Sequence, residues 1–315
     1  MALETAGARV NHAPMTLADP WAERIVVGID GSEHSERAAR WAAQEALAHG
    51  RGLTLAYAIL PPVTSAAFGP SLPVAMNAID VIREGAEREL ARIAETLVIP
   101  DLRTIVVMAS SSGLLLEASQ AAAMVVVGSR GLGGFRDLLL GSTGTQVATH
   151  SLCPCVVVRA LPNAGANRIV VGIDASPGSE AALAFAFDEA SRHAWTLTVV
   201  HAYEIPSYDY LVLPDPYQLI SATDVASEET RVVSESLSGF SSTYPDVKVE
   251  QRVMRGPTTH TLLEASKDAA MLVVGTRGRG LILGGILGST SHGVLHHAQI
   301  PVAVIPSKQM PEESQ

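Results

Sequence analysis

Two clusters of residues in this chain have the types and spacing to hold an anion. The first is Gly128-x-x-Gly131, nine residues, then Gly141-Ser142-Thr143; the second is Gly275-x-x-Gly278, nine residues, then Gly288-Ser289-Thr290. Glycines let the backbone approach a ligand closely, with N–H groups pointing at negative charge. A helix opened by Gly-Ser-Thr adds unpaired N–H groups, hydroxyls and the positive end of a dipole, which together favour phosphate. Arg130, Arg277 and Arg279 add nearby charge. Glycine loops also simply close strand–loop–helix units; a helix-opening Gly-Ser at the same distance in both clusters is what favours phosphate. The chain has no G-x-x-x-x-G-K-[ST] and no G-x-G-x-x-G after a first strand. A P-loop NTPase and a nicotinamide dehydrogenase are therefore both unsupported. Asp30 and Asp174 each end an apolar run and precede a serine suited to cap a helix, Ser32 or Ser176, with Pro177 at a first helical position. Each aspartate belongs to that turn or faces a ligand at the switch point of a parallel sheet.

The elements that position these residues come from a duplication. Arg24-Ile-Val-Val-Gly-Ile-Asp30 recurs 144 residues later as Arg168-Ile-Val-Val-Gly-Ile-Asp174, and Val125-Val-Val-Gly-Ser-Arg-Gly131 recurs 147 residues later as Leu272-Val-Val-Gly-Thr-Arg-Gly278. Two long matches in one order at nearly one offset define a repeat, and units of this size suit paired globular domains rather than a solenoid. The Pro, Gly and Asn of residues 160–167 read as a linker. The expected division is a leader over 1–23, a first domain over 24–159, the linker, a second domain over 168–306 and a tail over 307–315. Apolar β-branched runs predict strands near 24–30, 52–58, 103–108, 123–128 and 154–158, and near 168–174, 195–202, 247–253, 270–275 and 301–305. Helical patterns fall between them, near 32–49, 76–97, 112–121 and 142–151 in the first copy. Strands that are apolar throughout need helices on both faces, so each copy is expected to be a doubly wound α/β domain, Rossmann-like, with a five-stranded parallel sheet.

Composition bounds the partners. The 315 residues are 47% hydrophobic and 17% charged, enough for buried cores, and the formal net charge of -10 argues against nucleic-acid binding. Cys153 and Cys155 are separated by one residue, the wrong spacing for a redox or zinc C-x-x-C, and read as inert thiols in a reducing cytoplasm. The leader lacks the apolar core of a signal peptide, and no apolar run is long enough to span a membrane. His296 and His297, with His150 matching His297, lack a third ligand at a convincing spacing, so no metal is expected.

Together, the strand-one Val-Gly-Ile-Asp and the G-x-x-G-x9-G-S after the fourth strand resemble the universal stress protein family in its tandem form. The resemblance covers Arg24 to Pro306. It implies ATP, with or without Mg2+, lying across strands one and four of each copy. In the first copy it implies adenine and ribose contacts at Gly28, Ile29, Asp30, Ala58 and Val127, and phosphate contacts at Gly128, Gly131, Gly141, Ser142 and Thr143. In the second it implies Gly172, Ile173, Asp174, Ala202, Val274, Gly275, Gly278, Gly288, Ser289 and Thr290. The family often has a hydroxyl two places after the motif serine; the second copy has Ser291 there and the first Gly144. Ser291 is therefore expected to add a phosphate ligand and make the second site the tighter. The last strands resemble those through which such domains pair, implying an internal pseudo-dimer, with a further homodimer left open. Residues 59–75 and 203–217 are expected to form lids or partner surfaces. Alanine at Gly128 or Gly275 is expected to weaken binding with little effect on folding. The implied function is a regulatory, stress-response module that binds an adenine nucleotide; the alternative is a slow ATPase or nucleotidyl-transferring enzyme.

Overall fold

The computed structural model describes residues 20–60, 72–132, 140–204, 222–278 and 287–307. In the first copy the elements are β1 (Ile25–Ile29), α1 (Glu33–Ala48), β2 (Leu53–Ile59), α2 (Leu72–Ala94), β3 (Leu102–Met108), α3 (Ser111–Ala118), β4 (Met124–Gly128), α4 (Ser142–His150) and β5 (Cys155–Val158). The second copy has β6 (Arg168–Gly172), α5 (Pro177–His193), β7 (Thr196–Tyr203), α6 (Ala222–Leu237), α7 (Phe240–Thr243), β8 (Val249–Arg255), α8 (Thr258–Ala265), β9 (Met271–Gly275), α9 (Ser289–His297) and β10 (Val302–Ile305). Each sequence-predicted strand is present to within two residues at either end.

Each copy orders its parallel strands 3-2-1-4-5, and the two copies join into one ten-stranded sheet, β3-β2-β1-β4-β5-β10-β9-β6-β7-β8. The junction is the single antiparallel pairing among the described residues, with Val302 opposite Val157, Ala303 opposite Val156 and Val304 opposite Cys155. This is the pairing expected of the two last strands. Alternation along each strand feeds two cores. Ile25, Val27 and Ile29 pack with Trp41 of α1 and Leu90 and Ile93 of α2, while Val26 packs on the other face with Leu115 of α3 and Val147 of α4. Both faces are covered, which is why the strands read as apolar throughout.

Helix starts follow the predicted caps. Ser32 Oγ accepts from Ser35 N at 3.2 Å, and Ser176 Oγ accepts from Ser179 N at 3.2 Å with Pro177 at the first turn. The turn before each cap needs a positive φ, supplied by Gly31 (83°) in the first copy but by Ala175 (58°) in the second. One boundary needs correction. Trp21, assigned to the leader, is 3% exposed in the core beside Val26, and Pro20 O accepts from Thr54 Oγ1 at 3.1 Å. The first folded body therefore begins at least four residues earlier than the repeat alone suggests. Most of the leader, most of the two expected lids, Arg279 and nearly all of the tail lie outside the described residues. Among the described residues, no helix is long and apolar enough to cross a membrane.

Candidate functional site

The chain leaves β1 toward β2 on one side and reaches β4 on the other, so a crevice opens at the carboxyl ends of β1 and β4. Asp30 and the loop after Gly128 meet there. Asp30 Oδ1 accepts from Ser32 N at 3.0 Å and Oδ2 from Leu132 N at 3.0 Å. The aspartate thus holds its own turn and clamps the glycine loop, and it also lines the crevice. Gly131 lies so close to Asp30 Oδ2 that a Cβ would collide with it. Asp174 repeats the arrangement, accepting from Ser176 N at 3.1 Å with Gly278 against its Oδ2.

Opposite the aspartates stand the helix starts. Gly141 caps α4 with no side-chain hydrogen bond, and its own N–H is fixed to Ser129 O at 2.9 Å. The first helical bond is Thr145 N to Gly141 O at 3.0 Å, so the N–H groups of Ser142, Thr143 and Gly144 precede it. Gly288 caps α9 in the same way, with Gly288 N on Thr276 O at 2.9 Å and His292 N on Gly288 O at 2.9 Å. Each copy therefore presents the positive end of a helix facing a crevice, with no side-chain cap among the described residues.

The crevices differ in size. In the first copy a cavity of about 580 Å³ is lined by all ten residues predicted there; in the second, a cavity of about 300 Å³ is lined by nine of the ten, without Ala202. The larger cavity extends further along its walls, to Leu60 and Leu132, and the floors differ as well. Ala56 and Leu115 form the floor in the first copy, Val200 and Leu262 in the second, and valine fills space that alanine leaves. Ala56 and Leu115 escaped the sequence reading, although Leu262 recurs at the same 147-residue offset as the glycine loop. Gly28 and Gly172 make room for these leucines: a Cβ on either would lie 2.9 Å from a leucine methyl.

Two expectations fail on geometry. A Cβ on Gly128 would lie 2.7 Å from His34 C and 2.8 Å from His34 O, and one on Gly275 would lie 2.6 Å from Gly178 O. These glycines let α1 and α5 lie against the central strands, so alanine there strikes helix backbone and costs stability. Ser291 is 4% exposed and its Oγ donates to Gly275 O at 2.6 Å. Its proton is committed to fastening α9 to β9 and is not offered to a phosphate.

Charge behind the loops also differs. His34 Nδ1 lies 3.3 Å from Ser129 Oγ and 3.2 Å from Arg37 Nη1. Partial burial first, then the positive fields of Arg37, Arg130 and Arg159, hold its pKa below the usual 6.5 against the opposing Glu33. The corresponding residue of the second copy is Gly178, so this group has no counterpart there. Cys153 and Cys155 are buried free thiols; desolvation pushes Cys153 up to about 11 and raises Cys155 as well, so neither is reactive.

Comparison with known proteins agrees with the duplicated fold. The family model described as "Universal stress protein family" matches twice, over residues 22–159 and 165–306. The chain belongs to the universal stress protein family. Among its universal stress protein relatives, one from Mycolicibacterium smegmatis is 38% identical over 291 residues, covering 89% of this chain and 96% of that protein. Another, from Mycobacterium tuberculosis, is 33% identical over 307 residues with the same coverage. Among solved structures, a universal stress protein from Archaeoglobus fulgidus superposes with a TM-score of 0.62 at 19% identity, over 90% of this chain and 98% of that one. At that identity the likeness establishes the fold alone.

Proposed function

We propose that this universal stress protein binds one adenine nucleotide, ATP, in each copy, and that the bound state is read by a partner or by a change in conformation. The supporting observation is the pair of helix starts, Gly141 and Gly288, that lack side-chain caps and face crevices at the switch point of the sheet. Phosphates accept from the first-turn N–H groups and from the hydroxyls of Ser142, Thr143, Ser289 and Thr290, while the apolar floor over Ala56 and Leu115 takes the adenosine. The family resemblance supplies the choice of adenine. Both oxygens of Asp30 already accept backbone N–H groups. Any Mg2+ therefore arrives with the phosphates and is held by them and by water. The reading places the protein in the cytoplasm, where its two thiols stay reduced.

Among the described residues lining the crevices, no group is placed as a base against phosphorus, so slow turnover is expected. Acid release and chromatography of whatever co-purifies with the full chain, followed by native mass spectrometry with added ATP, tests the proposal. Two adenine nucleotides per chain support it, and none under saturating ATP refutes it. Phosphate release at ordinary enzyme rates, ~10 s⁻¹, abolished by Asp30→Ala or Asp174→Ala, would favour an ATPase instead.

A further inference from the structure

Away from both crevices, α1 and α5 each carry Glu-x3-His near their carboxyl ends, Glu45 with His49 and Glu189 with His193, again 144 residues apart. Residues at i and i+4 share a helix face, and the two faces meet between the copies. His193 Nε2 lies 3.0 Å from Glu45 Oε2 and 3.7 Å from Glu189 Oε2; His49 Nε2 lies 3.0 Å from Glu189 Oε1 and 3.8 Å from Glu45 Oε2. The side chains are enclosed, with Glu189 0% and Glu45 4% exposed. Two carboxylates this deep are costly unless positive charge is shared between them.

Hydrogen bonding does not satisfy the cluster. His49 Nε2 has one proton to give, and its hydrogen bond is to Glu189 Oε2 at 3.1 Å. Glu189 Oε1 is buried and, although it lies 3.0 Å from His49 Nε2, accepts no hydrogen bond. Ligand atoms of Glu45, Glu189 and His193 all lie within 4.8 Å of one another.

We propose that Glu45, Glu189 and His193 bind a divalent transition-metal cation of the zinc type, with His49, hydrogen-bonded to Glu189, orienting that carboxylate. Two carboxylates and one imidazole form a nitrogen–oxygen donor set suited to such ions, with a fourth position for water. Donor atoms around a tetrahedral zinc lie roughly 3.4 Å apart, and His193 stands 3.0 and 3.7 Å from its two carboxylate partners. The His193 ring is fixed by stacking on Trp195, with centroids 4.1 Å apart and 16° between planes. A cavity of about 290 Å³ bordered by Glu45, His193, Trp195 and the linker residues Pro162 and Ala166 supplies an entry path and room for the water.

The groups facing His193 are Glu45, Glu189 and Arg192. Burial works against a charged imidazole, yet the hydrogen bond that His193 donates to Glu45 and the fields of both glutamates outweigh it and Arg192, raising the pKa.

The test is a Co2+ titration of the full chain after chelator treatment, followed by visible absorption. The expected result is about one Co2+ per chain in a low-coordinate ligand field, displaced by Zn2+. His193→Gln and Glu45→Gln each abolish the band, and His49→Gln weakens binding by roughly 10–100-fold, as loss of an orienting partner does. The double variant His292→Gln/His296→Gln, which removes the neighbouring histidine pair of α9, leaves the band unchanged. Absence of the band in the wild-type chain overturns the proposal without recourse to any variant. Its survival in both His193→Gln and Glu45→Gln, or its loss in the α9 variant, overturns it equally.

Discussion

The two crevices grew from one ancestral sequence and keep the same helix start, yet they have been adjusted in opposite ways. The first is roomy, floored by Ala56, with Gly144 in the opening turn of its helix and a positive cluster around His34 behind the loop. The second is half the volume, floored by Val200, with α9 fastened to β9 through Ser291. A residue that looks like an added ligand in the sequence turns out to be a fastener. The ranking drawn from it reverses: the first crevice, with space for the whole nucleoside, is expected to hold ATP more tightly.

The largest expected effect removes what the copies share. Gly128→Ala and Gly275→Ala should each destabilise the chain by ~3 kcal/mol, the upper range for overpacking, because the neighbour is helix backbone that cannot rotate away. Urea denaturation measures this, and an unchanged midpoint with lost ATP binding would restore a purely ligand-facing role. Next comes the fastener: Ser291→Ala leaves Gly275 O without its buried donor and should cost ~1–3 kcal/mol of stability. Its effect on nucleotide affinity should be small, which calorimetry can separate. Exchanging the floors tests the volumes directly. Ala56→Val should weaken ATP at the first site about tenfold, ~1.4 kcal/mol, and Val200→Ala should strengthen the second; no change in either would show that the floor does not touch the ligand. The smallest effect concerns the turn after the first strand of each copy. Ala175→Gly relieves a left-handed alanine where the first copy already has Gly31 and should stabilise by about 1 kcal/mol, while Gly31→Ala does the reverse.

Much of this architecture is legible in sequence because the information is local or repeated. The runs Ile25–Ile29 and Met124–Gly128 are apolar throughout, a pattern that buried parallel strands require, and the cap serines announce α1 and α5. What stayed hidden depends on contacts between distant residues. Nothing in the order of residues says that Gly128 faces the backbone of His34 rather than a phosphate, or that Ser291 turns inward to Gly275. Val200 replaces Ala56 at a strand position that the glycine motifs do not mark. The Glu-x3-His pairs recur 144 residues apart, but only the meeting of α1 and α5 gives them meaning.

The antiparallel seam between β5 and β10 has a consequence for how the copies evolve. Separate subunits joined through such strands must find each other in solution, and any drift in one surface is felt by every partner. Here the partner is carried on the same chain, with nine residues between β5 and β6, at an effective concentration on the order of millimolar. Pairing is then independent of expression level and survives dilution. Each half is released from having to match a copy of itself, so differences such as Ala56 against Val200 can accumulate on one side alone. Tandem fusion thus turns a symmetric pair into a permanently unequal one, made in strict one-to-one proportion by a single message.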